Sequence, residues 1–218
     1  MKYFAVKSLL LCFALTLLLC SCIGVSADIT LNQNGSGTIA LEYRISNTLD
    51  SLGKLDGNER WNTIPVGRAD FERTLDRLPE MKLLSFFSKE DERNQIISLK
   101  MEFQKLETLL AFLDASGMRS SLKGNAGSGQ LSLVLSKSGE LNNPSFASLL
   151  AEISEPYSVN FSMTFSGDSS LRLQNDVGLE HKKTPKAEII SKGKKVSFSL
   201  PLYEIISSSE GITAEFSW

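Results

Sequence analysis

Of the side chains able to do covalent chemistry, the thiols are the most unevenly placed. The chain has 218 residues and three cysteines, Cys12, Cys20 and Cys22, so from Ile23 onward there is none. A thiol can act as nucleophile, metal ligand or half of a disulfide; beyond Cys22 all three options are closed, including an internal disulfide in an oxidising compartment. The single histidine, His181, sits in Glu180-His181-Lys182-Lys183, a hydrophilic run in which it is expected to be solvated. It has no G-x-S-x-G elbow beside it and no thiolates with which to build a zinc site. Carboxylates that meet in space could still do acid–base chemistry, but no spacing among the acidic residues singles out a pair. The expectation is a protein that is not an enzyme, with no catalytic residue, cofactor or metal.

The chemistry left to a thiol is acylation, and the setting of Cys22 suits it. Lys2 and Lys7 give a positive start, and Leu9 to Leu19 is apolar except for Thr16, the pattern of an export signal. Leu19-Cys20-Ser21-Cys22 resembles a bacterial lipobox, with Leu at −3 and small Ser at −1. Cys20 fits less well, because Leu19 would occupy −1. Cleavage before Cys22 would leave a thiol for diacylglycerol, and an amine for a further acyl chain such as palmitate. Each buried methylene contributes about 0.8 kcal/mol, so two or three chains anchor a protein essentially permanently. Two other fates stay open. Val25-Ser26-Ala27 obeys the small-x-small rule for ordinary cleavage after Ala27. Uncleaved, Ser8 to Ala27 would be just long enough to span a bilayer, although Ser21, Gly24 and Ser26 weaken its second half.

The formal net charge is −2, and two of the basic residues belong to the leader. Such a balance lacks the clustered positive charge that nucleic acid requires. One basic stretch stands out, from His181 to Lys195, with Glu188 its only acid. It could meet lipid headgroups or an acidic partner; lysines guarding an exposed sheet edge is the favoured reading.

The elements can be placed from periodicity. Ile29 and Leu31, then Ile39, Leu41, Tyr43 and Ile45, alternate on either side of Asn34-Gly35-Ser36-Gly37, a hairpin signal. Thr30, Asn32, Asn34 and Gly35 brush against a calcium-loop pattern, but Leu41 stands where its glutamate belongs. Asp70 is expected to cap a helix with Phe71, Leu75 and Leu78 on one face, ended by Pro79. Leu83–Ser88 and Ile96–Phe103 form a second hairpin. Leu106, Leu109, Leu110 and Leu113 make a helical stripe, with Gly117 as its cap. A third hairpin spans Ser120–Lys123 and Gln130–Leu135. Its Gly124–Gly129 link lacks the Lys-Ser/Thr of a phosphate loop. A helix capped by Asn143, with Phe146, Leu149, Leu150 and Ile153 on one face, is expected to follow and to end at Pro156. Strands then recur at 157–165, 171–173 and 196–200, followed by a short helix at Leu202–Ile206 and a last strand from Ile212 to Trp218. In the polar stretch before Arg68, Trp61 with Arg60 is the candidate binding surface, although a cover for one end of the core is the favoured reading of Trp61.

These units predict an α+β fold: an antiparallel sheet built from repeated β-hairpin–helix units, with helices packed on one face. The layout would be a signal peptide over 1–21, a short tether over 22–27 and one domain over 28–218, with a subdivision near 117 as the alternative. The leader resembles those of spirochaete envelope lipoproteins, which accept residues such as Cys20 at −2. The stretch "LNQNGSGTIALEYRI" and the hairpin–helix order are similar to the LppM-type family of bacterial lipoproteins. That resemblance covers mainly the leader and first hairpin; it implies an α+β envelope domain able to accommodate an amphiphile and transfers no catalytic residue. The expected function is a lipid-anchored cell-envelope protein that binds a protein partner or organises the envelope. The alternative is a carrier enclosing a lipid or other amphiphile, marked by an apolar cavity of about 300 Å³ or more.

Overall fold

The computed structural model describes residues 23–46, 67–91, 94–114, 117, 119–136, 154, 157–174, 186–208 and 211–218. Eleven strands and three short helices form among them. In chain order they are β1 (Ile23–Leu31), β2 (Gly37–Ser46), α1 (Arg68–Leu75), β3 (Met81–Glu90), β4 (Asn94–Phe103), α2 (Leu106–Leu113) and β5 (Ser121–Gly124). After these come β6 (Gly129–Ser136), β7 (Ser158–Thr164), β8 (Ser170–Gln174), β9 (Glu188–Lys192), β10 (Lys195–Pro201), α3 (Leu202–Ser207) and β11 (Ile212–Ser217).

The strands make two sheets. One has seven strands in the order β3-β4-β2-β1-β7-β10-β9, the other four in the order β5-β6-β11-β8. All pairings are antiparallel except β1 with β7, which run side by side from Val25↔Val159 to Thr30↔Thr164. Because residues alternate between faces, each strand turns one apolar row inward. Ile29 on β1, Met163 on β7 and Val196 on β10 are fully buried. Leu131, Ala214 and Leu171 do the same for the smaller sheet. The two inner faces meet through aromatic rings: Phe216 lies 5.2 Å from Phe161 and 6.4 Å from Phe198, and Phe161 stacks on Phe198 at 5.6 Å. Burying one such ring contributes about 1.5–3 kcal/mol, so this contact ties the layers together.

The smaller sheet covers only part of the large one. Toward β3, α1 takes over, with Phe71 placed 6.3 Å from Tyr43 and 5.8 Å from Phe86. α2 packs between β4 and β5. The buried residues form one continuous core.

This corrects the expected α+β architecture: the protein is a mostly β, two-layer structure, not a sheet of repeated hairpin–helix units. The individual hairpins and the first two helices form, but α1 and α2 have only eight residues each and patch the edges of a sandwich. The third hairpin, β5–β6, leaves the first two and joins β11 and β8 in a separate sheet. Periodicity reports which face of a strand is apolar; it does not report which sheet the strand joins. The helix expected over 143–156 lies outside the described residues, apart from the single position Ser154.

Two local expectations shift. Gly67, not Asp70, is the N-cap of α1; Asp70 acts from inside the first turn, where its carboxylate accepts the Gly67 N–H at 3.1 Å. α2 ends at Leu113 with Asp114 as its C-cap, and Gly117 follows in the left-handed region (φ 67°), donating its N–H to the Asp114 carbonyl at 2.7 Å. In the first hairpin, Gly37 is required by crowding: a Cβ there would stand 2.1 Å from the Thr30 carbonyl and 2.4 Å from the Phe103 ring.

Candidate functional site

Cys22, Arg60, Trp61 and His181 lie outside the described residues, as do Cys12 and Cys20. What the structure defines is the chain that leaves Cys22. β1 begins at Ile23, paired with Ile45; Val25 faces Tyr43 on one side and Val159 on the other, and Ala27 faces Leu41 and Phe161. From Ile23 onward, therefore, the expected 22–27 tether is strand, in the interior of the large sheet. Val25 and Ala27 continue the inward alternation of Ile29 and Leu31, a continuity that the division into a 22–27 tether and a domain from 28 does not express. Among the described residues, no helix is long and apolar enough to cross a membrane.

The outward face of the same strands carries a polar arrangement. Ser26, Asn160, Ser199 and Glu188 form one cross-strand row; Asp28, Ser162, Ser197 and Ile190 form the next. They line a shallow hollow of about 250 Å³. Within it, Asp28 Oδ2 accepts hydrogen bonds from Ser162 Oγ at 2.6 Å and Lys195 Nζ at 2.9 Å. Burial alone would raise the Asp28 carboxyl, but the bonds from Ser162 and Lys195 outweigh it and hold the group below the ordinary carboxylate range. A Ser–Asp–Lys trio invites comparison with a nucleophile and its base. Here the serine donates to a carboxylate that is a weakened base, and Lys195 is engaged as a cation with that same carboxylate. The trio is an ion-paired clasp between β1, β7 and β10. No known family model, curated protein or solved structure matches the chain, so its surface has to be read from chemistry alone.

The loop candidates are committed to turn structure. Asn34 Oδ1 accepts the Ser36 N–H and hydroxyl at 3.1 and 2.7 Å, which stiffens the first hairpin turn instead of offering a cation ligand. Among the described residues, no group of three or more His, Cys, Asp or Glu converges as a metal site. Gly124–Gly129 is the β5–β6 turn: Asn125 Oδ1 accepts the Gly127 and Ser128 N–H groups, and Trp218 Nε1 donates to the Asn125 carbonyl at 3.0 Å. These two turns and the start of α2 border a second open hollow of about 290 Å³. At its margin Glu80 accepts hydrogen bonds from Lys105 and, at 3.0 Å, from Thr108. The bond from Lys105, then that from Thr108, keeps the Glu80 carboxyl low, and the same pairing raises Lys105. This cluster pins α2 to the start of β3.

Both edges of the large sheet expose apolar side chains. β9, at one end of the large sheet, is exposed throughout, Ile189 and Ile190 included; it ends at exposed Lys192, with exposed Lys186 and Lys194 to either side, an edge guarded by lysines. β3, at the other end, exposes Leu84 (45%) and Phe87 (59%) beside a register shift between Leu83 and Ser85. Phe86 turns inward there, and Leu84 is the extra residue. The exposed pair went unnoticed in the sequence because "LLSFF" reads as an apolar run with no marker of which residues face out.

Proposed function

We propose that the chain is a cell-envelope protein anchored to a bacterial membrane through a lipidated Cys22, and that it binds a partner or organises the envelope without catalysing a reaction. The observation that carries this reading is the start of β1. Cleavage after Ala27 would remove Ile23–Ala27, more than half of a nine-residue strand that pairs on both sides. Cleavage before Cys22 leaves every residue of it in place. The intact strand supports the cut before Cys22 over the cut after Ala27.

A non-enzymatic role has separate support. The prominent charged groups of the outer hollow and of the α2 margin are engaged in clasps that hold strands together. The interior between the sheets is filled by rings in contact, and the hollows described above open outward. A carrier would need that interior space. Intact mass of the membrane fraction tests the anchor: a diacylglyceryl or triacylated chain beginning at Cys22 is expected, and a free chain beginning at Asp28 would refute it. Native mass spectrometry of the protein from its own host tests the role. A stoichiometric non-covalent lipid would overturn partner binding in favour of a carrier.

A further inference from the structure

We infer that the end of the sandwich where β1 begins is apposed to the bilayer, with the first turn of α3 against the headgroups. This rests on the anchored reading above and adds which surface faces the lipid. The described structure begins at Ile23, which is already paired in the sheet. Cys22 is the residue immediately before it, and one extended residue spans only about 3.5 Å. No slack remains to let the domain tumble at the end of a leash.

What lies at that end follows from strand direction. β7 runs parallel to β1, so Tyr157 sits beside Gly24, 3.7 Å from where a Cβ would be. β10 runs back to Pro201, opposite Ser158, and Leu202 donates its N–H to the Tyr157 carbonyl at 2.7 Å. Leu202 and Tyr203, half-buried in α3, continue the surface. They offer an apolar side chain and an amphipathic ring at this level, of the kind that suits the headgroup interface. Glu90 ends β3 at the same end of the sheet, opposite Gln95. The opposite end carries the glycine-rich turn and the β9–β10 turn. At about 3.3 Å per residue, nine residues of β1 put the two ends roughly 30 Å apart.

The acylated full chain provides the test, because lipidation consumes the only thiol left after processing. Single cysteines are introduced at the near end (Glu204→Cys and, separately, Glu90→Cys) and the far end (Gly127→Cys and Lys194→Cys), and labelled with an environment-sensitive fluorophore. The protein is reconstituted in phosphatidylethanolamine–phosphatidylglycerol vesicles containing headgroup-nitroxide phosphatidylcholine. Quenching is expected to be several-fold stronger at the two near positions than at the two far ones. A flexible Gly-Ser insert between Cys22 and Ile23 is expected to erase that bias. Equal quenching at both ends, or stronger quenching at the far end, with Cys22 shown acylated by mass, overturns the orientation and leaves the anchor standing. Absence of acylation at Cys22 removes the anchored reading, and the orientation with it.

Discussion

The two faces of the seven-stranded sheet are built by the same strands, yet they hold the molecule together in different ways. Inward, Phe161 and Phe198 stack on each other and meet Phe216 of the second sheet, so each ring is surrounded by partners that cannot follow if it is removed. Outward, one residue along the chain, Ser162 and Ser197 carry small hydroxyls, and the Asp28–Lys195 pair is about half exposed. Water competes for every polar contact there, and surface ion pairs generally contribute only about 0–1 kcal/mol. Stability resides in one face, and the other is free to vary or to meet something else.

Shortening β1 would disturb both faces at once. A chain beginning at Asp28 is expected not to reach the native state, read as loss of a cooperative urea transition; retention of wild-type stability would remove the support that β1 lends to the proposed processing before Cys22. Next in size, Phe198→Ala empties a fully enclosed site and should cost about 3–5 kcal/mol, visible as a lowered urea midpoint at unchanged slope. A loss no larger than that of an outer-face variant would erase the distinction between the faces.

Asp28→Asn should cost less, up to about 1 kcal/mol after solvent screening, and its pH dependence has a defined sign. The Asp28 carboxyl is held below its unfolded value. Its contribution is therefore full above the unfolded aspartate range near pH 4 and disappears as pH falls through the lower folded value. Wild type and variant should differ at pH 7 and converge in acid; a gap that widened in acid would reverse the assignment. The smallest effect is expected at Phe87→Ser on the exposed edge, within about 0.5 kcal/mol of wild type. A larger loss would mean that β3 is covered in the folded protein.

The hairpins were legible because Asn34-Gly35 and the alternations around it are local signals, and β1–β2 and β3–β4 pair as those signals imply. α1 and α2 were legible as apolar stripes, though Asp70 caps from a different position than its residue type alone suggested. The outer clasp was not legible. Its three members come from β1, β7 and β10, and Asp28 is 134 residues from Ser162 and 167 from Lys195; no motif spacing spans such distances. The exposure of Leu84 and Phe87 depends on a one-residue bulge, which leaves no signature in a run of apolar residues.

Read alone, the sequence determined the apolar leader, the thiol-free remainder, the turns and the inward row of each strand, because all of these depend on residue type and near-neighbour spacing. Only the tertiary structure decided that β5–β6 leaves the first sheet, that β7 lies parallel to β1, and that Ile23–Ala27 is strand instead of tether. Those choices are made by faces that bury one another across long stretches of chain, where packing energy outweighs local preference.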